Sequence, residues 1–278
     1  MSLHIESVGA GPDLVLLHGW AMHSGIWREV RSGLAQHFRL HLVDLPGHGF
    51  SPGFNTADIS GSHAGMLERT VEMIADILPA NCIACGWSLG GQVAIELALR
   101  DAARIAKVAL ISTTPSFVKR KDGGNDSHDS PGQAGWAWGM DATALQLFTR
   151  NLRRDCRTTL QRFLTLQVSG GSDTASELTW LRDSLFERGD PDEASLAAGL
   201  QILLSADLRK KIKNISQPVL LFHGENDVIT HPDAARWMNR QLQNSKLIML
   251  RNCGHVPFLS YPGQFIDGMV RFSRTGTR

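Results

Sequence analysis

A serine at the centre of Gly86-Trp87-Ser88-Leu89-Gly90-Gly91 has the surroundings that nucleophilic catalysis by an alcohol needs. A turn tight enough to lift that side chain above its neighbours leaves no space two residues to either side, and glycine at 86 and 90 meets this demand. A serine hydroxyl attacks poorly at neutral pH until a base takes its proton. Asn252-Cys253-Gly254-His255 supplies an imidazole in a Gly-His turn, and His223-Gly224-Glu225-Asn226-Asp227 supplies an acid to fix its tautomer and stabilise its charged form. Ser88 is expected as nucleophile, His255 as general base and Asp227 as the orienting acid. Glu225 competes with Asp227 but stands nearer the preceding strand.

An acyl-transfer transition state also needs donors for its oxyanion. Leu89, the residue after the nucleophile, offers one backbone N–H, and Trp20 in His18-Gly19-Trp20 is the candidate for the second. His18 is expected to brace that turn. Asp44, with Pro46, Gly47, Gly49 and Ser51, is expected to shape a loop beneath the site. His48, His63, His128 and His231 read as surface or loop residues, and no histidine and carboxylate spacing suggests a metal.

These groups need elements that bring them together. Apolar runs at 14–17, 40–43, 82–87, 108–112, 219–222 and 247–250 read as strands, each ending near a turn or one of the motifs. Helical periodicity links them: Trp27, Val30, Leu34 and Phe38 recur at spacings of three and four, and helices are expected over 66–78, 92–100 and 233–242. Continuous apolar strands alternating with helices predict an α/β fold with a mostly parallel sheet covered on both faces. The order serine, acid, histidine, each at the carboxyl end of a strand, strengthens the catalytic reading. Residues 114–190 have no convincing strand. A polar tract over 119–135 reads as a mobile loop, and helical patterns follow, such as Leu145, Phe148 and Leu152. The expected organisation is a core of 1–113 and 191–278 with a helical lid over 114–190.

The length of 278 residues fits one catalytic domain with an insertion, and 42% hydrophobic with 20% charged residues fits an ordinary globular chain. A net charge of +1 offers no global field for nucleic acid or an anionic membrane. Without a leader or an apolar run long enough to span a bilayer, a cytoplasmic monomer is expected. Four scattered cysteines imply reduced thiols, and Cys82 and Cys85 read as small core residues rather than a metal or redox pair.

The motifs at 18–20, 44–49, 86–91, 224–227 and 254–255 resemble the α/β-hydrolase superfamily across nearly the whole chain. The strings Leu14-Val15-Leu16-Leu17-His18-Gly19-Trp20, Leu40-His41-Leu42-Val43-Asp44-Leu45-Pro46-Gly47 and Arg162-Phe163-Leu164-Thr165-Leu166-Gln167, with the serine motif, resemble more narrowly the pimeloyl-acyl-carrier-protein methyl ester esterases of biotin synthesis. That resemblance implies cleavage of a methyl ester from a pimeloyl chain on acyl carrier protein, without a cofactor. It also implies that Trp20 and Leu89 flank the ester while Phe163, Leu164, Thr165, Leu166 and Gln167 line the acyl channel.

Carrier proteins are acidic, so a docking lid should present positive charge. Arg150, Arg153, Arg154 and Arg157 stand at i, i+3, i+4 and i+7, the spacing of one helical face, with Arg162 close behind. Docking is expected at Arg153, Arg154, Arg157 and Arg162. Of the family's lid arginines, Arg162 is retained and Arg157 stands one position off, while Ser176 and Trp180 occupy the other two places; Arg153, Arg154 or Arg182 would compensate. The competing readings are a general short-chain carboxylesterase, a carbon–carbon bond hydrolase or perhydrolase, and a non-catalytic ligand receptor on the same scaffold.

Overall fold

The computed structural model describes residues 2–54, 65–120 and 135–275. Its centre is a seven-stranded sheet built from β1 (Ile5–Val8), β2 (Asp13–Leu17), β3 (Arg39–Val43), β4 (Cys82–Trp87), β5 (Ile105–Ile111), β6 (Val219–Gly224) and β7 (Ser245–Leu250), in the spatial order β1-β3-β2-β4-β5-β6-β7. Only β1 runs antiparallel, against β3. Every residue of β4 and of β6 is buried. Successive side chains of a strand point to opposite faces, so complete burial means that both faces are covered.

One cover is α1 (Arg28–Ala35), packed against the carboxyl-terminal helices α9 (Pro257–Ser260) and α10 (Pro262–Ser273). The predicted apolar stripe of Trp27, Val30, Leu34 and Phe38 is fully buried, and Trp27 meets Phe258 and Phe265 at ring-centroid distances of 4.5 and 6.3 Å. A second cluster joins α2 (Met66–Ala75) and α3 (Leu89–Arg100), with α3 lying on β4 and β5. Between β5 and β6 the chain forms α4 (Ala142–Arg154), α5 (Cys156–Val168), α6 (Thr174–Leu185) and α7 (Glu193–Ser205), and α8 (Pro232–Gln241) joins β6 to β7. No helix among the described residues is long and apolar enough to cross a membrane.

The four arginines at 150, 153, 154 and 157 do not share one helical face, because Asp155 separates two helices. Its backbone (φ −152°, ψ 85°) leaves the helical region, and its carboxylate accepts from Thr158 N–H at 3.0 Å to start α5. Residues 121–134 of the polar tract, His128 among them, and His63 lie outside the described residues. Cys82 and Cys85 are buried on β4, and burial pushes the Cys82 thiol up to about 11.

Candidate active site

Ser88 sits between β4 and α3 with φ 56° and ψ −114°, a left-handed conformation that strains a non-glycine residue by about 1–3 kcal/mol. The strain persists because the surroundings determine it. The Ser88 N–H donates to Ile111 O at 2.9 Å, and its carbonyl accepts from Gly91 N–H at 3.0 Å. A Cβ at position 86 would stand 2.1 Å from Gly90 O, and one at position 90 would stand 2.4 Å from Leu17 O. The elbow therefore has space for glycine alone at both places, as the spacing requires. Ser88 is only half-buried.

The other two groups arrive on the loops after β6 and β7. His255 Nδ1 and Asp227 Oδ2 are 2.8 Å apart, with both residues buried. That bond occupies Nδ1 and leaves Nε2 as the nitrogen able to take a proton. Asp227 Oδ1 accepts from the N–H groups of Ile229 and Thr230, each at 2.9 Å, and Oδ2 accepts from Thr230 Oγ1 at 2.7 Å. Burial pushes the Asp227 carboxyl up, but His255 beside it, the bond to that ring, His223 and the Thr230 amide outweigh burial and hold it down at about 2. Glu225 is exposed.

His255 is tied to the elbow through Trp87, whose indole N–H donates to His255 O at 2.8 Å while the two rings lie 5.5 Å apart. Trp87 immediately precedes Ser88, and so the loop of His255 is fastened one residue from the serine.

On the other side lies the turn after β2. Leu45 N–H donates to His18 Nε2 at 2.9 Å, which makes His18 Nδ1 the protonated nitrogen and donor to Gly19 O at 2.8 Å. Burial, then His48, push His18 down to about 3, so it is neutral. No acceptor among the described residues takes the N–H of Trp20 or of Leu89. Asp44 is fully buried below this turn and accepts from Ser24 N–H at 2.7 Å, Phe50 N–H at 3.0 Å and Arg188 at 2.8 Å. His48 is a loop residue but not a surface one: it is buried, with Nδ1 2.9 Å from Pro46 O. His231 is exposed.

The inserted helices close over Trp20. Its indole N–H donates to Leu196 O on α7 at 2.9 Å, and its ring meets Phe148 and Phe163 edge-on at 5.5 and 5.2 Å. Along α5, Leu164 and Gln167 are buried and Phe163 half-buried, whereas Thr165 and Leu166 are exposed. Arg150, Arg153, Arg154, Arg162 and Arg182 are exposed. Arg157 is exposed as well, but it pairs with Asp190 at 3.2 Å and stacks on Phe186 at 4.2 Å. Trp180 donates to Glu29 at 2.9 Å.

The sequence reading gives no site role to Thr230, His223, Trp87, Phe148 or Arg188. A threonine three residues after Asp227 is a recognisable local capping pattern that could have been noticed. The indole-to-carbonyl bond from Trp87 spans 168 residues and has no local signature.

The alpha/beta hydrolase family matches residues 14–267. A pimeloyl-acyl-carrier-protein methyl ester esterase of Nitrosospira multiformis is 58% identical, covering 99% of each chain. One of the same name from Nitrosomonas europaea is 50% identical, covering 96% of this chain and 97% of that one. An esterase from Exiguobacterium antarcticum shares the fold with TM-score 0.80 at 21% identity, over 97% of this chain and 94% of that one.

Proposed function

Because this chain belongs to the alpha/beta hydrolase family, and within it to the pimeloyl-acyl-carrier-protein methyl ester esterases, we propose that it hydrolyses the methyl ester of a pimeloyl chain carried on acyl carrier protein. The products are methanol and the free carboxylate, and the step belongs to biotin synthesis in the cytoplasm. The buried 2.8 Å bond between Asp227 and His255, fastened through Trp87 to the elbow of Ser88, carries the hydrolytic part of this reading, and the likeness to the two esterases supports the substrate.

In the proposed mechanism His255 Nε2 takes the proton of Ser88 Oγ as that oxygen attacks the ester carbonyl carbon. The N–H groups of Trp20 and Leu89, without acceptors among the described residues, receive the negative charge on the carbonyl oxygen. Methoxide departs with the proton from His255, leaving an acyl group on Ser88. Water then attacks that acyl group with His255 again as base, and the carboxylate is released. Asp227 stays ionised and holds the ring as its charge develops.

Within the expected lid of 114–190 we read α4, α5 and α6 as the described part that covers the site, with Phe148 and Phe163 facing Trp20 as an apolar wall for the acyl chain. Arg153, Arg154 and Arg162 form the docking charge for the carrier, with Arg157 contributing less because Asp190 already engages it. The test is turnover of pimeloyl-carrier methyl ester by the purified protein against Ser88→Ala. A loss of roughly 10³-fold or more is expected, and equal rates would remove the assignment.

A further inference from the structure

The backbone of His255 is held from outside its own loop on both sides. Its carbonyl accepts from Trp87, and its N–H donates to Gln167 O at 2.8 Å, near the carboxyl end of α5. The same end of α5 reaches the acid loop. Asn226, next to Asp227, donates its side-chain amide to Gly170 O at 2.9 Å and its backbone N–H to Cys253 O at 3.0 Å. Lid, acid loop and base loop therefore meet in one small hydrogen-bonded cluster. The packing is backbone against backbone: a Cβ on Gly254 would stand 2.7 Å from Ser169 O and 2.9 Å from Gln167 O.

His255 is 1% exposed, so its N–H has no solvent to turn to if Gln167 withdraws. A buried N–H left without an acceptor carries the full cost of its lost hydration. Lifting the end of α5 either leaves that N–H unpaired or pulls the base loop along with it. In both cases the imidazole loses the backbone support that holds its loop beside Trp87 and Asp227. A lid that only roofed the acyl chain would not have this property.

We propose that the carboxyl end of α5 is the positioning element of the base and that Asn226 is the residue latching it there, so that seating the lid and aligning His255 are a single event. The inference rests on the reading of Ser88, Asp227 and His255 as a triad. It makes hydrolysis conditional on lid closure: with the lid lifted, the nucleophile is exposed but its base is not in place. Asn226 acts through its neighbours, and its own side chain is exposed at the rim.

The experiment uses the full-length protein with Asn226→Ala, Asn226→Asp and Asn226→Gln, alongside Ser88→Ala. Turnover of p-nitrophenyl butyrate is normalised to the serine titrated by an organophosphonate. Asn226→Ala and Asn226→Asp should lower kcat roughly tenfold with KM within about twofold, the size expected when a catalytic group is misplaced by part of an ångström. Asn226→Gln, which keeps a donor amide, should retain more activity than Asn226→Asp, which keeps the shape without it. Hydrogen exchange at the His255 amide should rise by roughly tenfold in the two weak variants while β4 amides are unchanged. Unchanged kcat and unchanged exchange would overturn the latch, and so would a raised KM at full kcat. Wild-type turnover by Ser88→Ala would overturn the triad reading underneath it, a result separate from any behaviour of the Asn226 variants.

Discussion

The indole N–H of Trp87 donates to the carbonyl oxygen of His255 at 2.8 Å, joining the residue before Ser88, the proposed nucleophile, to the backbone of the proposed base. The bond is buried, and Trp87 also packs edge-on against Phe258 at 5.3 Å. Trp87→Phe keeps an aromatic ring there and removes the donor, leaving a buried carbonyl short of a partner, a loss of about 1–3 kcal/mol. The expected result is a fall in kcat of roughly tenfold with KM nearly unchanged, read by steady-state kinetics on a small ester. A change in KM alone would contradict the role given to this bond.

Thr230 holds the same oxygen of Asp227 that faces His255. Thr230→Val removes that donor at nearly constant volume, so the Asp227 carboxyl should titrate higher than in the parent. The activity loss should be intermediate, roughly tenfold, against roughly 10³–10⁴-fold for Asp227→Asn, where the ring loses its tautomer as well. Equal losses in the two variants would place Thr230 among the groups that act as one unit with the acid.

Acid sensitivity should come from buried neutral histidines. Burial, then His48, lower His18 to about 3, and burial is the first cause lowering His23, His48 and His223 as well. An unfolded histidine binds its proton near pH 6.5, so between that pH and about 3 the unfolded chain holds more protons. The stabilisation is complete above pH 6.5 and is lost as the pH falls toward the folded value. Urea denaturation at pH 7.5 and 5 should show lower stability at pH 5, and His18→Gln should lose less over that interval than the parent. Asp227 adds a second loss below about pH 4, as its own carboxyl approaches about 2.

Arg188 stands 2.8 Å from Asp44, whose side chain is wholly buried. Arg188→Met keeps much of the bulk but leaves a buried carboxylate without its cation, a change of about 3–5 kcal/mol. Denaturant titration checks this, and a loss under about 1 kcal/mol would mean that the Ser24 and Phe50 amides suffice alone.

Much of this arrangement was legible in the sequence because it is written in short local patterns. The elbow needs glycine at 86 and 90 for steric reasons, and the Asp227 and His255 loops follow apolar runs that become β6 and β7. Helix α7 was missed because Leu196, Ala198, Leu200, Ile202 and Leu203 are all buried and leave little polar face to mark a period. β1 is short and half-buried at the sheet edge. The break at Asp155 was hidden because the arginine spacing runs through it with helical regularity, while the side-chain cap that ends that regularity depends on one carboxylate. Trp87 and Asn226 escaped notice because their partners are distant in the chain.

Carrier docking has its own signature. Charge reversal at Arg153, Arg154 and Arg162 should reduce kcat/KM for the carrier-bound ester by roughly tenfold or more, increasingly so at low salt, and spare a small soluble ester. Equal effects on both substrates would leave a general carboxylesterase.

The central claim is that Ser88 and His255 act as one unit, and it is tested most directly by turnover of pimeloyl-carrier methyl ester in Ser88→Ala, His255→Ala and the double variant. Each single change should reduce kcat by roughly 10³-fold or more, and the double variant should be little worse than either. Losses that multiply, or substantial activity in either single variant, would contradict it.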